Sequence, residues 1–316
     1  MQGKFGYHLL ALAVVAVWGV TFISTKILIG EGLHPSWIFA IRFLVAYLGI
    51  WVLCALSKDS RKLFSGSLRD EAVFLVLGVS GGSVYFLTEN TALAYTQACN
   101  VSFIVCSAPL FTALLSFAVK KLFKGEIAEG LEDVSGRWQL VAGTALALAG
   151  MAAVVFEGSA LRISSKGDLL ALAAALCWAV YSIFMGQMTA RYGSAFATRK
   201  VFFYGLVTIV PFLIGSGPDF SVLTRPQVWG NLLFLSLAAS LGCFILWNRI
   251  MSVIGNITAT NYVYLNPFFT LVTAVTLLGE RLTLQSGLGC AAIIAGVIIA
   301  CLLPARKSSR PDIHNR

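Results

Sequence analysis

Leu9-Leu10-Ala11-Leu12-Ala13, followed by Trp18 and Val20, is written a second time 160 residues on, as Leu169-Leu170-Ala171-Leu172-Ala173 followed by Trp178 and Val180. The doubling continues outward from that stretch. Phe86, Asn90, Pro109, Phe111 and Thr112 return 158 residues later as Phe244, Asn248, Pro267, Phe269 and Thr270. Gln139, Gly143 and Gly150 return 146 residues later as Gln285, Gly289 and Gly296. The order never changes, so one unit has been duplicated, and that repeat sets the architecture ahead of any local propensity.

Composition identifies the solvent. The 316 residues are 58% hydrophobic and 12% charged, with mean hydropathy +0.84. A soluble domain carries about 25% charged residues. Half that charge cannot cover a water-facing surface of this size. The apolar residues come in long blocks, and a helical span needs roughly 20 of them. The alternating segments of about 10 residues that mark a membrane barrel are absent. An all-α membrane protein follows.

Ten apolar segments are expected, at 7–29, 36–56, 71–93, 98–119, 138–156, 168–189, 196–215, 228–250, 256–278 and 284–303. The first is longer than a signal-peptide core and has a counterpart in the second copy, so it reads as a retained span. Each copy holds five spans, an odd number, so the second copy enters the membrane from the opposite side. The expected fold is ten transmembrane helices as two inverted five-helix repeats: 1–156, 157–303, and a basic tail at 304–316. Such a repeat places its site near the bilayer midplane between the halves.

Orientation follows from the basic residues. With both termini cytoplasmic, 17 of the 23 Lys and Arg fall on the inner side and five on the outer. That bias gives both ends a cytoplasmic placement. It also accounts for the net charge of +9 through topology and anionic lipid. No basic stripe carries interleaved aromatics, so nucleic acid is not an expected partner. The bilayer and a small-molecule substrate are.

The seven cysteines sit at scattered spacings in apolar segments, with no CxxC and no Cys/His cluster. No metal, cofactor or disulfide framework is implied. His8, His34 and His314 lie at span ends or in the tail, and no GxxxxGK[ST] motif is present. An enzyme is therefore not expected, and a concentration or proton gradient is the expected source of drive.

Trp18 and Trp178 fall near the centres of spans one and six, and Pro109 and Pro267 near the middles of spans four and nine. Tryptophan ordinarily favours the membrane interface. At the midplane it packs in the core or lines a wet cavity. Midplane proline kinks the helix and frees a carbonyl, which is tolerated beside protein or water. These prolines are the candidate gating breaks. The candidate substrate-binding residues are Trp18, Thr21, Tyr85, Asn100, Trp178, Tyr181, Trp247, Asn261, Tyr262 and Asn266. Their aromatic faces suit stacking or cation–π contact. Two small-residue patches, Ser80-Gly81-Gly82-Ser83 and Ala238-Ala239-Ser240-Leu241-Gly242, read as close helix packing.

Three charges lie within spans. Lys26 can snorkel outward. Arg42 and Glu89 are candidates for a buried charge pair or for proton coupling. Glu89 is also where the copies differ, since its counterpart is Trp247 while the neighbouring Asn90 keeps Asn248.

Taken with Ala92-Leu93-Ala94-Tyr95 before Pro109, Gly125-Glu126 and Gly279-Glu280 after the proline spans, and the doubled Gln-x3-Gly-x6-Gly, the chain resembles the EamA-type branch of the drug/metabolite transporter superfamily. The resemblance covers nearly the whole chain and rests on order and doubling. It implies a ten-helix inner-membrane carrier working by alternating access. It implies small metabolites, often amino acids or amphipathic cations, usually exported. The chain departs from a simple pattern in the 13 residues from Glu126 to Gln139, against five from Glu280 to Gln285. A lipid or lipid-carrier flippase on the same fold is the alternative, and a membrane-embedded enzyme a remote one. Oligomeric state is not legible.

Overall fold

A computed structural model of the chain describes residues 2–56, 63–96, 98–122, 138–155, 165–217, 220–278 and 284–302. The glutamates Glu126 and Glu280 and the basic tail lie outside the described residues. Helix stands at each of the ten expected segments, and no strand occurs among the described residues. In chain order the helices are α1 (Gln2–Gly30), α2 (Pro35–Leu56), α3 (Leu68–Tyr95), α4 (Ala98–Val105), α5 (Ala108–Leu122), α6 (Trp138–Val155), α7 (Ser165–Tyr192), α8 (Ser194–Ile214), α9 (Pro226–Ile254), α10 (Asn256–Asn261), α11 (Asn266–Leu278) and α12 (Leu284–Leu302).

Among the described residues, seven helices are long and apolar enough to cross a membrane: Lys4–Gly30, Pro35–Ala55, Leu68–Tyr95, Val101–Leu122, Lys166–Tyr192, Ser194–Ile214 and Pro226–Ile254. Helices α6 and α12 carry shorter apolar stretches, Trp138–Ala153 and Gly287–Ala300. Lipid offers no partner for a backbone N–H or C=O, so these segments close their bonds within themselves. The chain is an integral membrane protein. Turns between consecutive helices are tight where glycine permits: Gly32 at φ +97° precedes α2, and Gly255 at φ +94° separates α9 from α10.

Both small-residue patches depart from α geometry. Val79–Ser83 inside α3 and Phe234–Gly242 inside α9 are wound as π-helix. The first stretch, with Gly78 just before it, is a close-packing site. A Cβ on Gly78 would sit 2.4 Å from Cβ of Tyr204, and one on Gly81 2.1 Å from the Tyr181 ring. Close approach and π winding therefore coincide, as they do in many functional helices.

Proline divides the fourth and ninth segments, but the break precedes each proline. The chain turns at Cys106–Ser107 and restarts at α5, whose second residue is Pro109. It passes through a 3-10 turn at Tyr262–Leu265 and restarts at α11, whose second residue is Pro267. Proline has no N–H to give the carbonyl four residues back and its ring crowds that oxygen, so helix ends upstream of it. The carbonyls deprived in this way belong to Val105 and Val263. Val263 O accepts from the Asn266 N–H and also from the Cys106 thiol at 3.2 Å, so one break is tied to the other.

Helices α6 and α12 cross antiparallel on their glycines. A Cβ on Gly143 would lie 2.5 Å from the carbonyl oxygen of Gly296, and one on Gly150 2.5 Å from that of Gly289. Gly143 repeats as Gly289 and Gly150 as Gly296. Exchanging the two copies therefore turns one contact into the other.

Candidate functional site

The first residues of the repeat to be recognised meet in space. Trp18 of α1 and Trp178 of α7 stand edge to face, centroids 5.4 Å apart and planes at 89°. Phe86 and Phe244, another repeated pair, lie 6.2 Å apart. Phe244 also touches both indoles, at 5.9 and 6.1 Å. Trp247 packs on Trp18 at 4.8 Å and Tyr85 on Trp178 at 5.1 Å. Edge-to-face contact sets a positive ring edge on a negative face and adds about 0.5–1.5 kcal/mol per pair to simple burial.

Beside this cluster lies a cavity lined by Trp18, Thr21, Arg42, Tyr85, Glu89, Trp178 and Asn266, with the break residues Val105 and Val263. Its volume is about 30 Å³, room for about two water molecules. A space of that size is too small for a metabolite.

The cavity's polar groups are held from both halves. Arg42 donates from Nε to Ser240 Oγ at 2.6 Å, inside the π segment of α9, and its guanidinium lies 4.6 Å from the Phe86 ring centre. Glu89 accepts from the Tyr85 hydroxyl. The two charges attract across the cavity, yet neither belongs to the ion pairs seen among the described residues, which are Arg191–Asp70, Lys200–Glu71 and Arg225–Glu31.

The indoles are not equally satisfied. Trp18 Nε1 donates to Ala239 O at 3.1 Å, a carbonyl in the same π segment. Trp178 Nε1 and Trp247 Nε1 are buried and have no hydrogen-bond partner among the described residues, nor has Asn266 Oδ1. A buried donor left unmade costs about 1–3 kcal/mol. A ligand that supplies acceptors recovers that cost, which makes unfilled donors at a cavity a binding feature.

Other expected site residues are placed elsewhere. Tyr181 is fully buried and its hydroxyl is taken by Asn248, which in turn donates to Thr198 Oγ1 at 2.7 Å. The Tyr262 hydroxyl bonds His8 Nδ1 at 2.7 Å, away from the cavity lining. Trp247 backs Trp18 rather than lining the cavity. Asn261 and Pro109 line a separate apolar crevice of about 400 Å³ between α5 and α6, with Phe117 and Val141 at its exposed rim. Pro267 is buried at the start of α11. The Asn100 side chain lies outside the described residues. The sequence reading missed Ser240, Phe86 and Phe244 as site residues. The repeated Phe86/Phe244 pair was a usable signal, and Ser240 had none beyond its small-residue patch.

Comparison with known proteins agrees with this geometry. The sequence profile described as the EamA-like transporter family matches residues 5–125 and again 165–302. An archaeal protein from Archaeoglobus fulgidus, named an uncharacterized transporter, is 30% identical over 297 residues, covering 92% of this chain and 96% of that one. YedA of Escherichia coli K12, named an uncharacterized inner membrane transporter, is 26% identical over 96% of this chain and 94% of its own. A Streptantibioticus cattleyicolor protein, named a probable terminal-alkyne amino-acid exporter, is 27% identical over 73% of each chain. One solved crystal structure shares the fold at TM-score 0.75 and 19% identity, over 96% of this chain and all of the other.

Proposed function

The chain belongs to the EamA-like transporter family, and we propose that it is a ten-span secondary carrier that exports a small zwitterionic or cationic metabolite, an amino acid being the leading class. The observation that carries this reading is the convergence of both copies on one charged aromatic cavity. Trp18 and Phe86 come from the first copy, Trp178 and Phe244 from the second. An ammonium group would face the aromatic walls and Glu89. A carboxylate would face Arg42 and take the free N–H of Trp178. Closure around a volume of about 30 Å³ and re-opening at the proline breaks would alternate access, with Pro109 and Pro267 as the points of flexure.

The reciprocal glycine contacts of α6 and α12 support the inverted arrangement of copies 1–156 and 157–303. The basic-residue bias supports cytoplasmic placement of both termini. Likeness to YedA supports the inner membrane, and likeness to the amino-acid exporter supports the substrate class. Glu89, the one acid on the cavity lining, is the coupling site if a proton drives flux. The crevice between α5 and α6 gives the flippase reading an apolar lateral opening, but its lining carries no cation to hold a head group. The charged cavity favours a soluble metabolite.

The test is transport by purified protein in liposomes against labelled amino acids, sugars and organic cations, with imposed pH gradients. At least one amino acid or cation should accumulate. Trp18→Ala and Trp178→Ala should each lower flux about tenfold, the weight of one or two lost cavity contacts. Wild-type kinetics in both variants would return the indoles to a packing role.

A further inference from the structure

A crevice of about 400 Å³ separates α5 from α6, and Ile257 and Asn261 of α10 complete its wall. Leu110, Leu114 and Phe117 line it from one face of α5. Phe117 and Val141 stand at its rim, 54% and 73% exposed, so it opens on the outer surface of the bundle, where the solvent is lipid. Its volume lies within the range of about 300–1,000 Å³ usual for ligand sites. An empty space of that size would cost its lining every contact on one side, so hydrocarbon fills it.

Two polar groups ask for more than a hydrocarbon chain. Asn261 is 2% exposed, and its Nδ2 has no hydrogen-bond partner among the described residues. A buried donor left unmade costs stability, and a methylene chain offers it no acceptor. Ile257 packs on Leu140 near the start of α6, and Asn261 follows it by one turn, about 6 Å along the helix. The amide therefore stands about one turn inside the mouth of the crevice. Lys121 lies four residues past Phe117 on the same face of α5, exposed beyond that mouth. Trp138, 56% exposed, opens α6 at the same end, as aromatic residues do at a membrane boundary. Cation, amide, apolar wall is the order of phosphate, ester and acyl chain in a phospholipid.

We propose that the crevice holds one acyl chain of a diacyl glycerophospholipid, with an ester carbonyl accepting from Asn261 Nδ2 and the phosphate at Lys121. The head group stays outside the crevice, which agrees with a lining that carries no cation. This is a resident lipid, not a transported one, and the site depends on the membrane placement of the chain alone.

An ether lipid lacks the carbonyl, so it separates the amide contact from simple filling of the crevice. Native mass spectrometry of the full chain, released from nanodiscs of equal parts diester phosphatidylglycerol and its diether analogue with the same chains, tests this. The diester should be retained over the diether about tenfold, the weight of one buried hydrogen bond. Asn261→Leu should level the two lipids. Lys121→Gln should lower retention of both about fivefold and keep the diester preference. Should Asn261→Leu fail to give a monodisperse protein, Ala145→Trp, at an exposed lining position, is read in its place and should remove both adducts. Equal retention of diester and diether by the wild-type chain overturns the proposal, as does an undiminished diester preference in Asn261→Leu or an undiminished adduct in Ala145→Trp. So does a dimer that carries no lipid, which would give the crevice to a second copy of the chain.

Discussion

Trp18 and Trp178 touch edge to face at 5.4 Å, yet only Trp18 has a protein acceptor for its indole N–H, the carbonyl of Ala239. Two residues equivalent in the repeat are thus unequal in chemistry. One is anchored to the π segment of α9, and the other has no acceptor among the described residues. Removing each N–H should therefore do different things.

Trp18→Phe breaks the buried hydrogen bond to the Ala239 carbonyl, so thermal stability should fall by about 0.5–1.5 kcal/mol. Trp178→Phe removes a donor that has no protein partner, so stability should be nearly unchanged while substrate KM rises. Paired melting curves and transport kinetics separate the two. Equal loss of stability in both variants would contradict the assigned asymmetry.

Arg42 and Glu89 attract across the cavity without a direct ion pair. Arg42→Gln and Glu89→Gln should each lower flux. In a double-mutant cycle the pair should show a coupling of about 0.5–3 kcal/mol in stability. If a proton drives transport, Glu89→Gln should also erase the dependence of flux on an imposed pH gradient. Strict additivity would show that the two charges act independently.

The glycine crossing of α6 and α12 makes a steric prediction. Gly143→Ala and Gly150→Ala each place a methyl 2.5 Å from a backbone oxygen of the other helix. Helix separation of that kind costs about 1–3 kcal/mol, read as a lower melting temperature. Gly287→Ala meets nothing within 4 Å and should be neutral.

Topology is tested by single introduced thiols. Phe64→Cys and Leu122→Cys should react with an impermeant reagent from the cytoplasmic face, and Gly217→Cys from the other. Labelling of positions 64 and 122 from opposite faces would break the alternation on which the inverted repeat depends.

Much of this site could be read before any coordinates, and the limit is physical. The repeat singled out Trp18 and Trp178 as a pair at equal depth, and the two rings do touch. Depth follows from helical rise, but azimuth does not. Tyr181 lies one turn from Trp178, yet its hydroxyl is spent on Asn248. Tyr262 opens the 3-10 turn of the broken ninth segment and turns to His8, while Asn261, at the end of α10, lines the lateral crevice. The Arg42–Ser240 bond joins residues 198 apart, and no local spacing announces such a contact. The prolines marked the breaks, but the shift of each break upstream follows from the carbonyl four residues back.

The central claim is that the cavity lined by Trp18 and Trp178 opens alternately to the two sides of the membrane. Thr21 lines that cavity, so Thr21→Cys, in a chain whose seven native cysteines are replaced, reports on it directly. In right-side-out and inside-out vesicles, an impermeant thiol reagent should modify position 21 from either face, and transported solute should slow both reactions. Modification from one face only, whatever the solute, would make this a one-sided pocket and contradict a carrier.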